Sequence, residues 1–146
     1  MSNALQTASL LDAIRAAVVA GWGSIPISYG APRTSILPAP YAVVLADAVE
    51  VSFTGVGASF SSPSQLNRFT IIGRFPFPSD PTMILDLERV TKANALIIQL
   101  QVGSTFAEIG IHPLVTSVSF STLANPNEKV YDVTLTFSVT TLATHH

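Results

Sequence analysis

The chain has 146 residues, a formal net charge of −2 and no cysteine. That length suits one domain, here taken as 1–146, and the missing cysteines exclude disulfides, zinc–thiolate sites and cysteine nucleophiles. Seven Lys and Arg residues, scattered along the chain, give no electrostatic reason to expect nucleic acid or an anionic membrane as partner.

Only 11% of residues are charged, against about 25% in a typical soluble domain. Ser and Thr together supply 30 residues, so much of the polar surface is hydroxyl. A surface so poor in charge suits burial against other chains. No run approaches the ~18 apolar residues of a membrane span. Leu10 to Ala20 is apolar but holds Asp12 and Arg15, so no targeting segment is expected.

In chain order, the first element is a helix. Ser9 is placed to cap it, with Asp12 completing a capping-box-like pattern. Leu11, Ile14 and Val18 recur at helical spacing, Gly21 supplies the stop, and Trp22 folds back on the helix as an anchor. Residues 23–40 carry Pro26, Pro32, Pro38 and Pro40, which disfavour helix and remove ladder donors. Ile25, Ile27, Tyr29, Ile36 and Leu37 make this segment too apolar for a solvated linker.

Tyr41 to Ala46 and Val49 to Thr54 read as strands, and Ala46-Asp47-Ala48 either turns or continues between them. The Gly, Ser and Pro content of residues 55–67 reads as a flexible loop. Arg68 to Phe75 is a further strand with Phe69, Ile71 and Phe75 on one face. Asp80 and Pro81 then open a long helix that Gly103 ends. Its apolar face is predicted to be Met83, Leu87, Val90, Ile97 and Ile98, with an i,i+4 pair of Glu88 and Lys92 opposite. Alternatively, Ala95 to Val102 breaks away as a strand.

A hairpin completes the chain. Leu114 to Phe120 alternates, and Asn125 to Glu128 turns. Tyr131, Val133, Leu135, Phe137 and Val139 then share one face, with Asp132, Thr134, Thr136, Ser138 and Thr140 on the other. That strand is longer than the usual ~5–6 residues, so it is expected to overhang its own domain. The predicted class is α+β: a mixed, largely antiparallel sheet flanked by two main helices, with a C-terminal β-hairpin.

No constellation of catalytic or ligand-binding residues emerges. His112 has no sequence partner for a triad or metal site, and the terminal His145 and His146 are assigned no function. Gly55-Val56-Gly57 lacks a third glycine and a following helix. Asp86 and Glu88, two apart on a helix, point in nearly opposite directions. Glu108 and Glu128 sit in loops without an identifiable partner. The expectation is no enzyme, no cofactor and no metal. Interface candidates are Tyr29, Arg33, Arg74, Thr134 and Thr136, arginine being enriched at contact surfaces.

The succession of a capped helix, a Pro-rich stretch entering "LPAPYAVVLA" (37–46), the strand "NRFTIIGRFPFP", the helix "DPTMILDLERVTKANALIIQLQ" and a hairpin ending "YDVTLTFSVTTL" resembles the tail terminator proteins of long-tailed bacteriophages, and the wider group of neck and tail-completion subunits. The likeness lies in element order and texture over most of the chain. It implies a hexameric ring that caps the tail tube, halts its growth and docks the head connector. The implied partners are copies of the chain itself, the tube protein, connector or neck proteins, and DNA passing through the lumen without sequence-specific binding. The implied location is the virion. Ring contacts would come from residues 23–40, 55–67 and the hairpin; no catalytic residue is implied. Other neck or tail subunits, or a small-ligand or peptide-binding module with a pocket between sheet and long helix, are the alternatives.

Overall fold

The computed structural model describes residues 3–30, 39–53, 63–77, 85–102, 113–124 and 129–142. Along the chain these form α1 (Asn3–Trp22), β1 (Ile27–Tyr29), β2 (Tyr41–Phe53), β3 (Pro63–Pro76), α2 (Leu85–Gln101), β4 (Leu114–Ala124) and β5 (Lys129–Leu142). The five strands make one sheet in the order β1-β2-β3-β5-β4. β1 runs parallel to β2, and the other neighbours are antiparallel. The α+β class and the C-terminal hairpin are as predicted.

β5 sits at the centre of this arrangement. It pairs with β3 from Val130 to Leu142 and with β4 from Lys129 to Ser138. Its period-2 pattern is realised in full: Tyr131, Val133, Leu135, Phe137 and Val139 are buried. β3 pairs with it as far as Leu142, whereas β4 stops at Ser138, so the last four residues of β5 extend beyond β4. Opposite them on β3 lie Phe69, Ile71 and Phe75, also buried, and both helices contribute to the same core. Phe69 stacks on Phe137, and Phe75 on Tyr131, so the β3–β5 seam is an aromatic ladder.

β2 is one strand. Asp47 drops out of register between Ala46 and Ala48, a bulge that lets the strand continue instead of turning. β3 begins at Pro63, so the end of the predicted 55–67 loop is strand. Leu66 and Asn67 pair with both neighbours, and Asn67 Nδ2 donates to Val139 O at 3.2 Å. Ser9 is not a cap, because the Ala- and Leu-rich sequence is already helical from Asn3. The stop is Gly23, not Gly21. Gly23 takes φ +90° and its N–H bonds to Val19 O at 2.9 Å, closing the last turn as glycine readily does.

α2 departs most from expectation. It is helical to Gln101, so no strand forms from Ala95 onward. Its buried stripe is Ala93, Leu96 and Leu100, with Ile97 partly buried; Leu87, Val90 and Ile98 are exposed. The cause is close helix packing. A Cβ on Gly21 would lie 3.2 Å from Ala95 O and 3.3 Å from Leu96 Cα, so α1 presses on α2 along this small-residue side. Asp80, Pro81, Met83 and Gly103 lie outside the described residues.

Trp22 does not fold back on α1 either. Its ring meets Phe75 edge-on at 5.1 Å between centroids, and its Nε1 donates to Lys92 O at 2.8 Å. The space it fills exists because residue 73 has no side chain: a Cβ there would lie 2.6 Å from Trp22 and 2.8 Å from Phe75. Gly73→Ala is therefore expected to destabilise by about 1–3 kcal/mol through overpacking, measured by chemical denaturation. Phe137→Asp, which buries an unpaired charge, should abolish the cooperative transition; a soluble, cooperatively melting Asp variant would contradict this assignment of the core.

Candidate interaction surfaces

A cavity of about 270 Å³ opens between α2 and the end of the sheet, against the Trp22 nucleus. Trp22, Phe75, Phe77 and Tyr131 supply aromatic walls, and Glu88 and Lys92 lie one helical turn apart above them. The expected Glu88–Lys92 pair does not form. The Lys92 ammonium instead lies 4.9 Å from the Phe75 ring centre, a cation–π contact. Glu88 faces Tyr131, whose hydroxyl pKa is pushed well up, first by burial and then by the charge and hydrogen bonding of Glu88. In sequence, the aromatic and proline run from Arg74 to Pro78 was the available signal for this cavity.

The sheet face away from the helices is a second surface. Arg74 makes a two-pronged ion pair there with Asp132 on the neighbouring strand, Nε at 2.7 Å and Nη2 at 2.9 Å. Such fork geometry is among the stronger surface pairings, so Arg74 serves to tie β3 to β5. Thr134 and Thr136 share this face, half-buried in the middle of the sheet. A row of hydroxyl contacts crosses it. Thr70 Oγ1 donates to the bulged Asp47 carboxylate and lies 3.3 Å from Thr136 Oγ1, while Thr116 Oγ1 donates to Thr136 O at 3.2 Å.

Tyr29 stands apart from that group. On β1 it shares the helix side with its partner Val44, and its hydroxyl reaches Leu11 O at 3.4 Å. Its pKa is raised, mainly by burial, with Arg15 opposing and Asp12 adding to the shift. Arg33 lies outside the described residues, as do His112, His145, His146, Glu108, Glu128 and Gly55 to Gly57. Of the five candidates, the structure thus brings Arg74, Thr134 and Thr136 onto one face.

The third surface was missed by the sequence reading because Leu87, Val90 and Ile98 had been assigned to the core. Leu87, Val90, Ile98 and Val102 are 58%, 44%, 53% and 79% exposed. Leu87 and Val90 lie about one turn apart, as do Ile98 and Val102, with Thr91 and Asn94 exposed between the two pairs on the same side of α2. On the opposite side of α2, the Arg89 guanidinium lies 5.5 Å from the Phe120 ring centre on β4, so that side stands next to the sheet edge. Isolated exposed apolar residues are ordinary, and these four are a candidate contact surface by their number on one side of the helix.

Among the described residues, no group of three His, Asp or Glu side chains gathers as a metal site. No described helix is long and apolar enough to cross a membrane. No protein-family model matches the chain, and no curated protein matches it. One similar solved structure, which bears an identifier and no descriptive name, shares 17% identity at a TM-score of 0.41, over 88% of this chain and 94% of its own. A likeness at that level carries no argument about function.

The raised Tyr131 pKa fixes a pH dependence. In the unfolded chain its phenol ionises near 10.0, whereas in the fold it stays protonated. The unfolded state therefore loses a proton first, and the contribution of Tyr131, complete below pH 10, declines as pH rises above that value. Tyr131→Phe should flatten the fall in unfolding free energy above pH 10, read from urea curves at successive pH values. An unchanged slope would contradict the assignment.

Proposed function

We propose that this protein is a structural subunit of a phage virion, of the tail terminator type. It forms a ring, taken as hexameric, that caps the tail tube, ends its elongation and docks the head connector. The reading rests on the order and texture of the elements in the sequence, and one structural observation supports it above the rest: the exposed apolar row on α2. In a heterologous ring every subunit contributes two different patches, so such a row has a natural use as one of them. The low charge of the chain fits burial between subunits in the same way. The ring's partners are then the tube protein on one side and connector or neck proteins on the other, with DNA passing through the lumen without base recognition.

A second reading, a small-ligand or peptide-binding module, is favoured by the aromatic cavity beneath Glu88 and Lys92. Ligand-dependent thermal stabilisation would distinguish it.

Size-exclusion chromatography with light scattering, followed by negative-stain imaging, is the direct test of the ring. Closed rings of fixed size are expected, alone or on mixing with tube protein. Open cylinders would indicate a tube subunit, and a chain that stayed monomeric with its tube partner would overturn the reading. Val90→Asp combined with Ile98→Asp should leave the circular dichroism spectrum intact, since both side chains are exposed, and should abolish the ring.

A further inference from the structure

β4 closes one side of the sheet, and among the described residues no strand lies against its outer edge. An edge strand presents unpaired N–H and C=O groups, and proteins blunt such edges with charges, prolines or short length. β4 has eleven residues, LVTSVSFSTLA, with no charged residue and no proline. Its irregularity is confined to the first turn of pairing, between Val115 and Ser117. β1, at the opposite side, has three residues. The β4 edge is also apolar on both flanks, with Leu114 and Leu123 exposed on the open face and Phe120 exposed on the helix side.

We propose that β4 pairs with β4 of a second copy of this chain, antiparallel about a two-fold axis through Ser119, joining two five-stranded sheets. Charge selects this occupant. Under a two-fold axis each residue meets the residue equally far beyond the axis, so a charge at or beside the axis meets its own like charge across the seam, which destabilises pairing. β4 carries no charge to oppose this, and equally none to attract nucleic acid or a charged peptide. Centring on Ser119, the midpoint of Leu114–Ala124, lets the strand pair along its whole length. Val118 then faces the second copy's Phe120 on the helix side, a β-branched–aromatic pair of the favourable kind. Eleven residues span roughly 37 Å, so the seam offers a full strand's length of backbone pairing.

An isologous contact closes as a dimer and does not by itself build a ring. The pairing therefore stands apart from the ring, for which the α2 row is one patch, and it uses the hairpin edge differently from the ring contact that the resemblance implied. The chain has no cysteine, so Ser119→Cys places a single thiol at the axis, on an exposed position of the open face. Purified Ser119→Cys is expected to be dimeric by light scattering and to form a covalent dimer under mild oxidation. Thr122→Cys, whose counterpart in the second copy lies about six residues along the strand, roughly 20 Å away, should cross-link at least ten times more slowly. Ser119→Lys should stay folded by circular dichroism and lose the two-fold dimer by light scattering. Equal cross-linking of the two cysteine variants, or a wild-type chain monomeric at all concentrations, overturns the pairing. Rings without preferential cross-linking at residue 119 would overturn the pairing alone, and cross-linked dimers that never form rings with tube protein would overturn the ring alone.

Discussion

The described fold turns on the notch at Gly73. The absence of a side chain there lets Trp22, the last residue of α1, reach the sheet and pack edge-on against Phe75, while its indole N–H binds the Lys92 carbonyl of α2. One side chain thereby fixes both helices against β3. The close approach of Gly21 to Ala95 and Leu96 follows along the same line of contact. From Phe75 the aromatic contacts run on to Tyr131 and so into the central strand.

That geometry settles which side of α2 faces inward. The close contact at Gly21 draws the helix to α1, and Ala93, Leu96 and Leu100 go into the core. Larger residues at equally helical spacing, Leu87, Val90 and Ile98, are left in water. The helix is apolar on more than one side, and a core of this width covers one of them.

Charge is used sparingly and locally. Arg74 with Asp132 ties two strands, Lys92 covers an aromatic ring, and Arg89 covers another beside the free edge. Between these points the open sheet face is held by hydroxyl contacts, Thr70 to Asp47 and Thr116 to Thr136. Such a surface discriminates partners by shape and backbone pairing more than by electrostatic attraction, since long-range steering requires clustered charge.

The sequence by itself determined the α+β class, the terminal hairpin and the inward row of β5 from Tyr131 to Val139, because period-2 alternation leaves one assignment when one face is buried. It also located the aromatic row of β3. It could not locate the boundaries of α1, since Ser9 and Gly21 carry cap-like signals that continuing helix overrides. Nor could it say that Arg74, Thr134 and Thr136 share a face whereas Tyr29 lies on the other, which depends on register and strand order. Above all, periodicity gives the spacing of an apolar stripe but not which of two stripes meets the core. On α2 the tertiary structure decided that, because only the close contact at Gly21, and the Trp22 ring seated over Gly73, fix how the helix is turned.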